Sequence, residues 1–338
     1  MQKLCHNAPA SGAVADLQLE ANPLTIGLET ICAAHARIAP HIHRTPVMTS
    51  RSLNAMAGAR LFIKCENLQK TGSFKIRGAS NAVLSLSEEE ARHGVVTHSS
   101  GNHAAALSYA ARMRGIPAWI VMPQNAPQAK VRAVEGYGGQ ITFCEPTLPA
   151  RDAAAQEIQA RTGAVMIHPY DDERIIAGQA TAAMELLQEV PDLDVLLAPV
   201  SGGGLLSGTA LAAKLMRGDA VRVTGCEPKN ADDAYRSLVS GQIEPMENPA
   251  TMADGLRATL SELTFGILRQ NVDQIALVSE EEIVAAMRAV WERMKIIAEP
   301  SAAVAVAPAL HKQIGAEGKH VGIILSGGNV DLGKLPFA

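Results

Sequence analysis

The stretch Gly72-Ser73-Phe74-Lys75-Ile76-Arg77-Gly78 decides how this chain is read. Lys75 has an apolar residue on each side, an unusual setting for a solvated lysine. Where a strand region gives way to a helix, a partly desolvated amine has a lowered pKa and becomes a nucleophile toward a carbonyl. An ordinary lysine that snorkels to water also fits these seven residues. Other segments decide between the two.

Two of them ask for the same ligand. Pro199-Val200-Ser201-Gly202-Gly203-Gly204-Leu205-Leu206-Ser207-Gly208 follows the apolar run 195–198 and precedes a helix-like stretch over 205–216. Glycines between a strand and a helix let successive N–H groups converge, and the helix N-terminus adds positive partial charge, which makes a phosphate cradle. A tight strand–helix turn is the plainer alternative. The run is neither a Walker loop, since no Gly-Lys-Ser/Thr follows, nor a clean Gly-x-Gly-x-x-Gly dinucleotide turn. The second segment, Ile323-Ile324-Leu325-Ser326-Gly327-Gly328-Asn329, ends an apolar strand in a hydroxyl. A neutral hydroxyl there hydrogen-bonds a ring nitrogen without forcing it to be protonated. An aldehyde-bearing, phosphorylated, aromatic cofactor uses a lysine, a phosphate cradle and a ring-nitrogen partner. Pyridoxal 5′-phosphate is such a molecule.

Two more loops carry candidate chemistry. In Thr97-His98-Ser99-Ser100-Gly101-Asn102-His103, amides at a helix start suit a substrate carboxylate, Asn102 suits a phenolic oxygen, and the Ser100 hydroxyl can exchange a proton. A plain serine–asparagine helix cap fits the same residues. In Glu227-Pro228-Lys229-Asn230-Ala231-Asp232-Asp233, after a strand expected to end at Cys226, two carboxylates and a backbone carbonyl offer hard oxygen ligands to Mg²⁺ or Ca²⁺. An acidic solvated turn is the favoured reading of the segment in isolation.

The 338 residues are 47% hydrophobic and 19% charged, enough for two domains with real cores. A net charge of −4 with few aromatics excludes a nucleic-acid partner, and no apolar run reaches the length of a membrane span. Residues 1–24 lack the apolar core of a signal peptide and read as a loosely held extension. Cys5, Cys32, Cys65, Cys144 and Cys226 are odd in number and scattered, which predicts reduced thiols in a cytoplasmic protein. Strands are expected at 61–64, 95–98, 119–122, 141–144, 165–168, 195–200, 221–226, 275–278 and 321–325. Helical patterns lie between them, among them 102–114, 150–162, 179–190, 280–295 and 301–314. Continuous apolar strands alternating with helices imply mostly parallel sheets covered on both faces, with ligands at the strands' carboxyl ends. Ser99, Ser201 and Ser326 all fall there.

The chain resembles serine racemase and its serine/threonine dehydratase relatives, in the fold-type II family of pyridoxal-phosphate enzymes. The resemblance runs from about Ile31 to Leu332. It rests on Thr45-Pro46-Val47, the lysine stretch through Ala79, Ser99 to His103, Cys144-Glu145-Pro146, Ile176-Ala177-Gly178-Gln179, Ala253-Asp254-Gly255-Leu256, Trp291-Glu292-Arg293-Met294-Lys295, Glu299-Pro300-Ser301-Ala302 and Leu325 to Leu332. It implies an α/β fold like that of tryptophan synthase β, with two domains each built on a mostly parallel sheet flanked by helices. The large cofactor-binding domain would take 25–93 and 172–338, and the small one 94–171.

Site roles follow from the same resemblance. Lys75 would carry the cofactor covalently and move the α-proton on one face, with Ser100 as acid/base on the other. Asn102 would meet the phenolic oxygen, Gly202, Gly203, Gly204 and Leu205 the phosphate, and Ser326 the ring nitrogen. Phe74 and Gly255 would sandwich the ring. Ser99, Ser100, Gly101, Asn102 and His103 would line the substrate carboxylate, Arg151 would approach a distal acid, and Glu227, Ala231 and Asp233 would hold a divalent cation (Mg²⁺, Mn²⁺ or Ca²⁺). A homodimer is implied as well. Three departures stand out: Ser201 replaces the first of four glycines and adds a hydroxyl, Tyr170 replaces an asparagine, and Ala258 a substrate-side serine. The expected activity is β-elimination from a β-hydroxy amino acid of the serine, threonine or 3-hydroxyaspartate type, giving a 2-oxo acid and ammonia. Amino-acid racemisation is the alternative.

Overall fold

The structure is a computed structural model and describes residues 26–99 and 101–337. The N-terminal extension with Cys5, and Ser100, lie outside the described residues. Runs of branched apolar residues make ten strands: β1 (Val47–Met48), β2 (Arg60–Cys65), β3 (Val95–His98), β4 (Ala118–Pro123), β5 (Gln140–Cys144), β6 (Val165–Met166), β7 (Val195–Pro199), β8 (Arg222–Pro228), β9 (Gln274–Val278) and β10 (His320–Leu325). They form two sheets, in the orders β1-β2-β10-β7-β8-β9 and β5-β4-β3-β6. Every pairing is parallel except β1 on β2. This is the mostly parallel α/β architecture the sequence implies.

The helices are α1 (Leu28–Ile38), α2 (Arg51–Ala57), α3 (Lys75–Leu84), α4 (Glu88–Arg92), α5 (Asn102–Arg114), α6 (Gln128–Gly136), α7 (Leu148–Thr162), α8 (Glu173–Glu189), α9 (Gly204–Arg217), α10 (Asp233–Ser240), α11 (Glu262–Asn271), α12 (Glu280–Met294), α13 (Pro300–Ala303) and α14 (Ala307–Leu310). One face of the large sheet packs against α12 to α14 and α2, the other against α1, α8, α9 and α11. The small sheet is covered by α5 and α6 on one side and α7 on the other. Strand β7 shows why these strands are continuously apolar: all five of its residues are buried between two helical layers. Each fully buried Leu or Val there contributes about 1.5–3 kcal/mol, so a charge at Leu197 would break the layer.

All nine expected strands are present, with informative differences at their ends. Strand β8 runs on through Pro228, paired to β9, so Glu227 sits inside the strand and not after it. The strand expected at 165–168 pairs only over Val165–Met166, and the chain then leaves the sheet. Helix α8 starts at Glu173, six residues before the expected Gln179, because Asp172 caps it by accepting from the Arg174 N–H. The helix expected over 301–314 is broken into α13 and α14. Pro308 has no N–H to donate back to the Val304 carbonyl and its ring crowds that carbonyl, so the helix breaks over 304–306 and restarts with Pro308 in its first turn.

Candidate active site

Helices α3, α5 and α9 open on the carboxyl ends of the strands, and none has a side-chain cap. Peripheral α4, α11 and α12 instead begin with full capping boxes. Uncapped first-turn N–H groups are available to an anionic ligand. In the glycine loop, Gly203 has φ 92°, a conformation that L side chains rarely adopt. That turn leads directly into α9.

Lys75 is the first residue of α3, reached from β2 through two short 3₁₀ turns. Its amine donates to the Pro169 carbonyl at 3.0 Å and lies 5.2 Å from the Phe74 ring centroid. Burial pushes this amine down to about 8, with no carboxylate beside it to hold the proton. Lys64 behaves differently. Its ammonium is buried against Glu185 at 2.7 Å and the Thr45 carbonyl at 2.6 Å. Of the two, only Lys75 presents an amine that loses its charge easily and has no counter-ion.

The Ser326 turn is stitched to the lysine turn. Ser73 bridges Gly327, the Phe74 N–H donates to the Ser326 carbonyl at 3.0 Å, and the Gly328 N–H donates to the Gly72 carbonyl at 2.9 Å. The Ser326 side chain is 2% exposed. At the start of α5, Asn102 Nδ2 donates to Glu299 Oε1 at 2.9 Å, and its Oδ1 accepts from Asn329 Nδ2 at 2.9 Å. Glu299 also accepts the Asn329 N–H at 3.2 Å. Burial pushes its carboxyl up to about 7, with Asn102 opposing and Asp254 adding to the rise. Gly255 donates its N–H to Ser301 Oγ at 3.1 Å, and its neighbour Asp254 pairs with Lys130 of α6. Two residues of this cluster, Glu299 and Asn329, have no role in the sequence reading. The signals for Glu299 were its place in the Glu299-Pro300-Ser301-Ala302 stretch of the resemblance and an acid set in the apolar run Ile296-Ile297-Ala298-Glu299-Pro300.

Other expected residues are placed with differences. Ser201 does not offer its hydroxyl to the loop's interior: it donates to the Ala258 carbonyl at 3.3 Å and accepts the Ala258 N–H at 3.0 Å. The His103 ring is buried, with Nε2 3.2 Å from the Ile167 carbonyl. A carbonyl only accepts, so Nε2 carries the proton and Nδ1 is left as an acceptor, unsuited to a carboxylate. Ser99 and Gly101 lie at the loop between β3 and α5. Arg151, on α7, stands near His98, with its Nε buried and unpartnered. Arg151 is therefore on the His98 side of the small sheet, with no contact to the α3–β10 junction among the described residues.

The acidic loop has its own geometry. Glu227 accepts the Ala234 and Tyr235 N–H groups at 3.0 and 2.9 Å. Both oxygens of Asp233 are buried without a partner, and Ala231 is buried beside them. Burial pushes Asp233 up to about 7, and burial together with Asp233 raises Glu227 well above the usual carboxylate range. Two adjacent buried carboxylates with no ion-pair partner in contact, Arg236 being engaged with Asp232, suit a hard cation. Among the described residues no cluster of three or more His, Cys, Asp or Glu side chains could hold a metal, so main-chain oxygen and water would have to complete the shell.

A desolvated amine, an uncapped glycine-rich helix start and a buried hydroxyl around one cleft suit a phosphorylated aldehyde. Residues 38–327 match the family model described as pyridoxal-phosphate dependent enzyme. The chain belongs to that family. It is 50% identical over 309 residues to a beta-hydroxyaspartate dehydratase of Paracoccus denitrificans (strain Pd 1222), covering 91% of this chain and 98% of that protein. The structure of maize serine racemase superposes with a TM-score of 0.89 at 49% identity, over 91% of this chain and 94% of the other. The processed form of threonine deaminase isoform 2 from Solanum lycopersicum superposes with a TM-score of 0.87 at 30% identity, over 98% and 93%. Proteins similar to this chain thus include both dehydratases and racemases, and pyridoxal phosphate is the family's cofactor. Among the described residues no helix is long and apolar enough to cross a membrane.

Proposed function

We infer that this chain is a pyridoxal-phosphate-dependent dehydratase that converts a β-hydroxy amino acid, of the 3-hydroxyaspartate type in preference to serine, into a 2-oxo acid and ammonia. The observation that carries the reading is the Lys75 amine, held by a neutral carbonyl and pushed down to about 8 by burial. Such an amine is neutral in a useful fraction of molecules near pH 8 and takes a proton from carbon. The bound cofactor supplies an electron sink for the carbanion formed when the α-proton leaves. Phe74, Gly255, Asn102, Ser326 and the amides of Gly202 to Leu205 would hold it. The Ser326 hydroxyl is neutral and leaves the ring nitrogen without a permanent charge, which shortens the carbanion's life and favours loss of a β-group. The amides at the start of α5, with Ser99, would take the substrate α-carboxylate, His103 contributing its main chain only.

In the reaction the Cα–H and Cβ–O bonds break, the α-proton passes to Lys75, and an equivalent proton is delivered to the departing hydroxyl, which leaves as water. The released enamine is hydrolysed to the 2-oxo acid and ammonia, with no change of overall redox state. The unpartnered, buried Nε of Arg151 and the similarity to a beta-hydroxyaspartate dehydratase support an acidic side chain. Racemisation is the second reading, favoured by the similarity to maize serine racemase, with Ser100 returning a proton to the opposite face. The proposal extends to a divalent cation at Glu227, Ala231 and Asp233 and to a homodimer in the cytoplasm. It takes 25–93 and 172–338 as the cofactor-binding domain, with 94–171 as the smaller one.

The test is an assay of both 3-hydroxyaspartate and serine for 2-oxo acid formation and for enantiomer exchange. Borohydride treatment of the holoenzyme and peptide mapping accompany it. The cofactor's mass should be fixed on Lys75, and 2-oxo acid should form faster than the enantiomer. Fixation on another lysine, or exchange without elimination, overturns the reading.

A further inference from the structure

After β6 the chain leaves the small sheet as His168-Pro169-Tyr170 and runs along the wall between Lys75 and the glycine loop. The Pro169 carbonyl holds the Lys75 amine. The Tyr170 ring occupies the space a side chain would need at Gly202, where a Cβ would come within 2.4 Å of its ring carbons. At Gly204 a Cβ would come within 2.9 Å of the tyrosine's own Cβ. These two glycines are therefore required by the tyrosine's seat as well as by any phosphate. The ring meets His168 edge to face, with centroids 4.6 Å apart and planes at 81°.

The polar atoms left over on this wall are donors. The Asp171 N–H donates to His168 Nδ1 at 2.9 Å, so the proton of the neutral ring sits on Nε2. Burial pushes His168 down to about 4, with His98 adding to the fall, so the ring stays neutral. The Tyr170 hydroxyl makes no hydrogen bond among the described residues, and burial pushes it up to about 12, with Asp171, Asp233 and Asp152 adding to the rise. Of these acids, Asp152 is 3.2 Å from His98 Nε2. A half-buried donor without an acceptor among the described residues is free to exchange water for an acceptor on the ligand.

We propose that Tyr170 is a specificity-determining residue whose hydroxyl donates to the β-carboxylate of a 3-hydroxyaspartate-type substrate. The inference rests on the dehydratase reading above. The substrate's α-carbon must lie beside the Lys75 amine, and the β-carbon is one bond further on. The strap from His168 to Tyr170 is the wall reached next, and it ends on the loop suited to phosphate. A substrate carboxylate there gains a hydrogen bond that serine, with hydrogen in its place, does not. A bond from a neutral donor to a charged acceptor is worth about 10- to 100-fold in binding.

The experiment compares wild-type holoenzyme with Tyr170→Phe, which keeps the ring on Gly202 and Gly204 and removes one oxygen. Two ratios are read: kcat/KM for 3-hydroxyaspartate over serine, and calorimetric affinity for tartrate over glycerate, which mimic the two substrates with a hydroxyl for the amine. Both ratios should fall about 10- to 100-fold. If both stay at the wild-type value, Tyr170 does not read the β-carboxylate. Should Tyr170→Phe fail to yield folded holoenzyme, Tyr170→Met gives the same two ratios. If wild type eliminates from no β-hydroxy amino acid, the dehydratase reading fails, and the tartrate-to-glycerate ratio still decides the role of Tyr170.

Discussion

Two pairs of carboxylates are buried behind the cleft, and they are in opposite states. Glu66 and Glu185 surround Arg77, two residues after Lys75 on α3. All five N–H donors of that guanidinium are used: two on Glu66 at 2.7 and 2.8 Å, two on Glu185 at 3.1 and 2.9 Å, and one on Thr181 at 3.1 Å. Lys64 adds a second cation to Glu185, and His35 lies 3.3 Å from it. Burial works against the charge on Glu185, yet His35, Arg77 and Lys64 hold its carboxyl well below the usual range. At Glu227 and Asp233 the burial is as deep and no cation is in ion-pair contact, Arg236 being paired with Asp232 and only partly opposing the rise at Asp233, so both carboxyls are pushed up. Depth alone therefore does not decide whether a buried acid is an anion. The first pair carries its own counter-ions and fixes α3, and the second, with Arg236 acting only from outside contact, is open to neutralisation by protons or by an ion from solution.

The comparison breaks most visibly at Arg77. Arg77→Met should leave two buried carboxylates with too little positive charge and cost about 3–5 kcal/mol in urea unfolding. Because α3 has no side-chain cap, cofactor content should fall with it. Wild-type stability in this variant would mean the cluster is not what anchors the helix. A smaller effect is expected at the second pair. Saturating Mg²⁺, Mn²⁺ or Ca²⁺ should raise the melting temperature and a chelator should lower it, with a stabilisation of about 2.7 kcal/mol at a hundredfold excess over Kd. Asp233→Asn should remove the response. A wild-type protein indifferent to both cation and chelator would make the loop an acidic turn and nothing more.

These pairs also show where sequence reading stops. Strands were legible because continuous apolar runs bounded by turn residues have few other solutions, and the loops at their carboxyl ends followed. The two-residue β1 carries too little pattern to be seen. The cap at Asp172 and the break at Pro308 were local signals, present but outweighed by the helical periodicity around them. What could not be read is pairing over distance. Arg77 meets Glu185 across 108 positions and Asn102 meets Glu299 across 197, and neither spacing has a period. Ser201 shows the same limit, since its hydroxyl is taken by the main chain of Ala258, 57 positions away.

Glu299 lies between the two extremes and sharpens the comparison with the smallest effect. It is buried like the others and has hydrogen-bond donors, Asn102 and the Asn329 N–H, but no cation in contact. Burial outweighs the donors and sets its carboxyl at about 7, above the ordinary 4.5. A group raised in the folded state binds more protons there than in the unfolded chain between these two values. Its contribution to stability is fully present below about pH 4.5 and is lost as pH rises through about 7. Glu299→Gln has no such titration, though its amide presents a donor where Asn329 or Asn102 also donates and so carries a penalty at every pH. The slope, and not the offset, is therefore the readout. The unfolding free energy of wild type minus that of Glu299→Gln should fall by on the order of 2 kcal/mol between pH 5 and about pH 8. Every other titrating group is common to both proteins and cancels. A flat difference would mean Glu299 is ionised throughout, held as firmly by two amides as Glu185 is by its cations.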